Sequence, residues 1–292
     1  NNAQETLLVF TIGIVVVFAM VFGSYVMSGG KFEIIVHAAP HEFMAIGGAA
    51  LGAFLIANKG NVAKGALKDV GKSFKGPKWK AQDYKDLLAL LFVILKLVRT
   101  KGMVALEQHI ENPEQSAIFQ QYPKITHDHF AVEFICDTLR MITMSFEDPH
   151  QLEDMMEKQL EKHHHELLAP AHSIQSMADG IPALGIVAAV LGVIKTMGSI
   201  SEPVEILGAL IGGALVGTFL GVFLSYGLVG PIASKLNQIY AQDHCFYMII
   251  KAVLVSHLQG NAPQVSVEIG RGAIPTIYQP PFSEMEQLLS SL

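Results

Sequence analysis

Four stretches of this sequence, Leu7–Met27, Phe43–Asn58, Ile181–Ile194 and Ile206–Ala233, contain no Asp, Glu, Lys, Arg or His. A helix that crosses the hydrocarbon core of a bilayer needs about 20 mainly apolar residues, within a range of about 17–25. Backbone amides find no water there, so their hydrogen bonds must close within each segment. The stretches also lack the period-2 alternation of barrel strands. The expected fold class is therefore an all-α integral membrane protein with four transmembrane helices. Because these stretches hold no acid, an ion crossing them would be handled by hydroxyls, backbone carbonyls or a carboxylate lent by another chain.

Composition excludes other classes. Apolar residues make up 51% of the chain and charged residues only 16%, whereas an average soluble domain is about 25% charged. Twenty basic and 26 acidic residues give a net charge of −6 with no polybasic face, so no nucleic-acid partner is expected. Cys136 and Cys245 are the only cysteines and lie far apart, which argues against a disulfide framework or a zinc site. The first apolar stretch is too long for a signal-peptide core and is expected to be retained.

Lysine placement orients the spans. Residues 59–101 carry eleven Lys or Arg, with Lys59, Lys64, Lys68, Lys72 and Lys75 leading the run, and the positive-inside rule makes this loop cytoplasmic. The connection Ser28–Glu42 has only Lys31 as a basic residue, and Gly198–Glu205 has none, so both are expected outside, with both termini inside. Four segments follow: a first transmembrane hairpin over 1–58, a large helical cytoplasmic insert over 59–178, a second hairpin over 179–233, and a cytoplasmic C-terminal tail over 234–292.

Within the insert, Leu87, Leu88, Leu90, Leu91, Ile94, Leu95 and Val98 recur at helical spacing after Asp83, a candidate N-cap. A second helix is expected from Phe130 to Met144. A third opens at Asp148-Pro149 and is expected to be interrupted near Pro170. The tail from Lys235 to Gly260 reads as a continuation of the fourth span. Beyond it the stretch with Pro263, Pro275, Pro280 and Pro281 reads as irregular, with a short helix after Ser283.

Small residues mark helix contacts. Gly213, Gly217 and Gly221 stand at i, i+4 and i+8, and the third span carries Gly185, Ala189 and Gly192. Such stripes let backbones approach closely in lipid, either among this chain's own helices or against a partner helix. Pro182 and Pro231 sit at one membrane face and act as hinges or as helix ends. Thr218 offers a mid-span hydroxyl, which lines a pore or bonds the carbonyl one turn back. Lys195, at the outer end of the third span, is expected to snorkel. In a helix, His163, His164 and His165 point in different directions, so they make a poor metal site.

Several separated runs carry a resemblance. Pro182-Ala183-Leu184-Gly185-Ile186-Val187-Ala188-Ala189-Val190-Leu191-Gly192 and Val216-Gly217-Thr218-Phe219-Leu220-Gly221, followed by Ser225-Tyr226-Gly227 and Pro231, resemble the last two spans of the MotA family of flagellar stator subunits. Arg99-Thr100-Lys101-Gly102-Met103-Val104-Ala105-Leu106-Glu107 with Ile110-Glu111-Asn112-Pro113, and Asn261-Ala262-Pro263 with Val267-Glu268-Ile269-Gly270-Arg271, are similar to the same family.

That resemblance implies a stator subunit of the bacterial inner membrane, arranged as a homopentamer around a MotB dimer, driving rotation of the rotor protein FliG. Arg99 and Glu107 match the family's charged positions facing FliG. Thr218 and Ala189 match positions on the ion path, and Pro182 and Pro231 match its two membrane-face prolines. Gly185, Gly192, Gly213, Gly217 and Gly221 would belong to the helix packing around MotB. The ion-binding aspartate would come from MotB. Sodium-driven relatives carry a threonine where Ala189 stands, so the resemblance implies H+ as the transported ion. It implies no enzymatic activity, catalytic residue, metal or cofactor. An ExbB- or TolQ-like proton-motive energiser is the alternative, and its three-span plan fits four apolar stretches less well.

Overall fold

A computed structural model describes residues 2–144 and 148–292. Among these residues every regular element is helical. In chain order the helices are α1 (Asn2–Met27), α2 (Phe32–Ala57), α3 (Gly60–Asp69), α4 (Lys72–Lys75), α5 (Ala81–Lys101), α6 (Val104–Glu111), α7 (Pro123–Thr126), α8 (His129–Thr143), α9 (Pro149–Met197), α10 (Val204–Leu224), α11 (Gly230–Leu258), α12 (Pro263–Gly272) and α13 (Phe282–Ser290). Two 3-10 turns precede α7, and a π turn, Ser225–Val229, joins α10 to α11. Helices in four regions, beginning at Glu5, Phe32, Pro149 and Val204, are long and apolar enough to cross a membrane.

The chain forms two compact units. The first comprises Asn1–Gly76 and Leu167–Ile239. Its core is built from Ile46 and Ala50 of α2, Ile181 and Ala188 of α9, and Val216 and Leu220 of α10. Around it Phe18 and Phe22 of α1 meet Phe219 and Phe223 of α10 edge to face, an arrangement that adds about 0.5–1.5 kcal/mol per pair to simple burial.

The second unit comprises Pro77–Glu166 and Tyr240–Leu292. The apolar run of α5 lies at its centre, with Leu87, Leu88, Leu90, Leu91, Ile94 and Leu95 all buried. Trp79 stacks on Phe246 at 3.7 Å between ring centroids, and Tyr84 stacks on Tyr278. Asp83 is not the N-cap of α5. It occupies the first turn, where its carboxylate accepts the Lys80 N–H at 2.7 Å and pairs with Lys124. Asp128 caps α8 by accepting the Ala131 N–H at 2.8 Å, and it also accepts the Tyr247 hydroxyl and pairs with Lys78.

Four expectations are corrected. The second apolar helix begins at Phe32 rather than Phe43, so the connection expected over Ser28–Glu42 shrinks to the residues before Phe32. Its early polar residues Glu33, His37 and His41 recur every fourth position and form one exposed stripe, while Ile34, Ile35, Ala38 and Ala39 turn inward. Glu42 therefore lies inside a helix of membrane-spanning character, and the premise that these helices lack an acid fails. Next, α9 runs unbroken through Pro170 and Pro182. Pro231 follows the π turn directly, inside a helical stretch that runs on from Val204 to Leu258. Finally, the stretch read as irregular holds α12, whose Pro263 opens its first turn.

Candidate functional site

The glycine pattern closes α9 onto α10. A methyl carbon at Gly185 would lie 2.9 Å from the Gly217 carbonyl oxygen and 3.0 Å from Gly221 Cα, and one at Gly192 would lie 2.7 Å from Ala214 Cβ. Contacts this close, to backbone at Gly185 and to a methyl and its Cα at Gly192, need glycine at both positions. Gly213 is looser, with Ala38 Cβ at 3.8 Å. A methyl carbon at Gly217 would lie 3.2 Å from Ala188 Cβ and 2.6 Å from the Glu42 carboxyl. Thus α2, α9 and α10 meet at this one glycine.

Ala189 and Thr218 each follow one of the residues in the Ala188–Gly217 contact, and both are half-buried. The structure therefore brings these two expected ion-path residues to one level of the α9–α10 pair. Lys195 is exposed in the last turn of α9.

Pro182 has a partner that sequence reasoning missed. A proline inside a helix cannot donate to the carbonyl four residues earlier, which for Pro182 is that of Ala178. Ser225, in the π turn, donates its hydroxyl to the Ala178 carbonyl at 2.6 Å and is itself buried. In the same turn the Gly230 N–H reaches back five residues to the Ser225 carbonyl. The segment leading to Pro231 is thus tied to the carbonyl that Pro182 leaves free.

In the second unit, Arg99 lies in the last turn of α5 and Glu107 in the first turn of α6. Both are exposed, and neither forms an ion pair among the described residues. Gly102 turns the chain between them with φ of 79° and ψ of 174° while its N–H donates to the Val98 carbonyl at 2.9 Å. Arg140 fixes α6 against α8 by donating to Glu111 at 2.8 Å and to the Ile110 carbonyl at 2.7 Å. Two unpaired opposite charges are thereby held on a rigid corner.

The histidine run points three ways. His163 stacks on Phe130, His164 stacks on His244 with ring centroids 4.2 Å apart, and His165 is exposed. Burial, reinforced by the neighbouring His164 and His163, pushes His244 down to about 4, so it is neutral at physiological pH.

Comparison with known proteins follows this architecture. Residues 11–102 match the model for the Motility protein A N-terminal region, and residues 127–244 match that for the MotA/TolQ/ExbB proton channel family. Motility protein A of Salmonella typhimurium is 41% identical over 276 residues, covering 94% of this chain and 93% of the relative. The chain belongs to the Motility protein A family. The Escherichia coli member is 40% identical over the same shares, and chemotaxis protein LafT of Vibrio parahaemolyticus is 36% identical over 96% of this chain and 97% of its own. Among solved structures, Campylobacter jejuni MotAB superposes with a TM-score of 0.70 at 20% identity, covering 91% of this chain and 95% of that one. The Bacillus subtilis flagellar MotAB stator complex superposes with 0.65 at 23%, covering 95% and 98%. At these identities the structural likeness establishes the Motility protein A fold alone.

Proposed function

We propose that this chain is a flagellar stator subunit that, with a MotB dimer, couples proton flow across the inner membrane to torque on the rotor protein FliG. The observation that carries this reading is the near-full-length identity to Motility protein A, which spans both the N-terminal model and the channel model. The N-terminal match also favours it over an ExbB- or TolQ-like energiser. The chain crosses the membrane four times, as hairpins within 1–58 and 179–233. The insert 59–178 and the tail 234–292 are cytoplasmic, as are both termini. Five copies surround the MotB spans, and the glycines at 185, 192, 213, 217 and 221 bring α2, α9 and α10 close enough to form the wall of that ring.

The mechanism follows from charge in a low dielectric. A MotB aspartate is expensive to hold ionised against an apolar wall, so protonation and deprotonation favour different positions of the ring beside it. Each elementary charge crossing 100 mV releases about 2.3 kcal/mol, enough to bias exchange between similar packing surfaces. Ala189 offers only a methyl beside Thr218. The site therefore lacks the several oxygens that a dehydrating sodium ion needs, and the proton is the driving ion. Pro182 and Pro231 transmit the motion, and Arg99 and Glu107 engage FliG by charge.

The rotor contact is testable directly. Reversing both charges, with Arg99→Glu and Glu107→Lys, should abolish spreading in soft agar while membrane levels by immunoblot stay normal. Exposed charges contribute only about 0–1 kcal/mol to stability. Opposite reversals on FliG should restore part of the motility. Normal spreading of the double variant, or its disappearance from the membrane, would overturn the assignment.

A further inference from the structure

We propose that Glu42 is a proton-binding carboxyl within the membrane unit, held in its neutral form by a cradle that only Gly217 leaves open. The inference does not rest on the stator reading. It needs only that α2 and α10 lie in a bilayer.

Two observations carry it. First, Oε2 of Glu42 is closed off from solvent and has no hydrogen-bond partner. Second, the room it occupies exists because residue 217 lacks a side chain. A methyl carbon there would stand 2.6 Å from Oε2 and 3.2 Å from Cδ, so the carboxyl would have to move from its present seat. The carboxyl is thus seated in a matched notch. It sits ten positions after Phe32 in the 26-residue α2, about 15 Å from the start of the helix at 1.5 Å per residue.

The one titratable group that acts electrostatically on Glu42 is His41, the residue before it on α2, and the neighbouring helices offer nothing to balance a negative charge. On α10 the only titratable residue is Glu205, at its start, and on α9 none occurs between Asp179 and Lys195. On α2 itself the nearest titratable side chains, His37 and His41, are both exposed. An ionised carboxylate with a dry, unpartnered oxygen is strongly disfavoured, and such a group takes up a proton instead. Binding of the proton and closure of α2 on α10 are therefore one event. A Glu42 that loses its proton has to leave the notch, which opens the contact on the residue next to Thr218.

Infrared spectroscopy reads this without any rotation assay, so failure of the stator reading and failure of this one are distinguishable. The complex is purified, reconstituted in lipid nanodiscs and recorded at neutral pH. The C=O stretch of a protonated carboxyl should be present, should shift in heavy water, and should vanish in Glu42→Gln. Absence of that band from the natural protein, or its persistence unchanged in Glu42→Gln, overturns the proposal. Should Glu42→Gln fail to accumulate, Glu42→Asp keeps the acid but withdraws it from Gly217 by one methylene. Its band should be lost at neutral pH and reappear only on acidification, and a band unchanged from the natural protein overturns the proposal equally.

Discussion

At the scale of single residues, the hydroxyl of Ser225 repairs a defect that Pro182 makes. A buried carbonyl without a donor costs about 1–3 kcal/mol, and the 2.6 Å bond from Ser225 to Ala178 removes that cost. Ser225→Ala should accordingly lower the thermal unfolding midpoint of the solubilised protein, whereas Ser290→Ala, on an exposed hydroxyl, should not. A double-mutant cycle sharpens the test. In a Pro182→Ala background α9 regains its own donor, so the Ser225→Ala penalty should shrink. An equal penalty in both backgrounds would refute the pairing. Pro182 stands out in the sequence, but its partner lies 47 residues from the acceptor. No local pattern could have joined them.

At the scale of elements, the glycine stripes decide which helices touch. Gly185 and Gly221 interlock backbone to backbone, with a methyl carbon on Gly221 falling 2.8 Å from Gly185 Cα. Overpacking a tight contact costs about 1–3 kcal/mol. Gly221→Val should thus reduce the amount of protein in the membrane, measured by immunoblot against a co-expressed marker. Gly208→Ala, on the same helix with open space around it, should leave the level unchanged. Equal levels in the two variants would sink this account of the stripe. The apolar helices were legible because their length and lack of charge leave few alternatives. Their limits were less so. The start of α2 was hidden because Glu33, His37, His41 and Glu42 suggested a loop, although their four-residue spacing from 33 to 41 is a helical signal. The helix α12 was hidden by the prolines around it, although Pro263 is suited to a first turn. The charged corner at Arg99 and Glu107 came from likeness to a family, and the notch for Glu42 required the fold.

At the scale of the whole molecule, the proposed function makes ion choice a matter of the groups that several helices bring to one level rather than of one side chain. With Ala189 and Thr218 at one level of the α9–α10 pair, these two positions offer a single hydroxyl, and the proposed neutral carboxyl of Glu42 beside Gly217 adds no charged oxygen, where a sodium site would need several oxygen ligands. Tethered cells should keep rotating in sodium-free potassium buffer at fixed pH, with no gain in speed on adding sodium. Rotation that stops and recovers in proportion to sodium would overturn the proton assignment. On the proposed stator function, force would leave through the corner between Arg99 and Glu107, whose geometry rests on Gly102. Its backbone pair of 79° and 174° is closed to natural side chains, at a strain of about 1–3 kcal/mol. The mirror image of those angles is ordinary extended backbone. The corner is therefore chiral in its demands, because D-alanine fits the backbone at residue 102 without strain and L-alanine does not, and the spacing of the two charges depends on which hand is supplied.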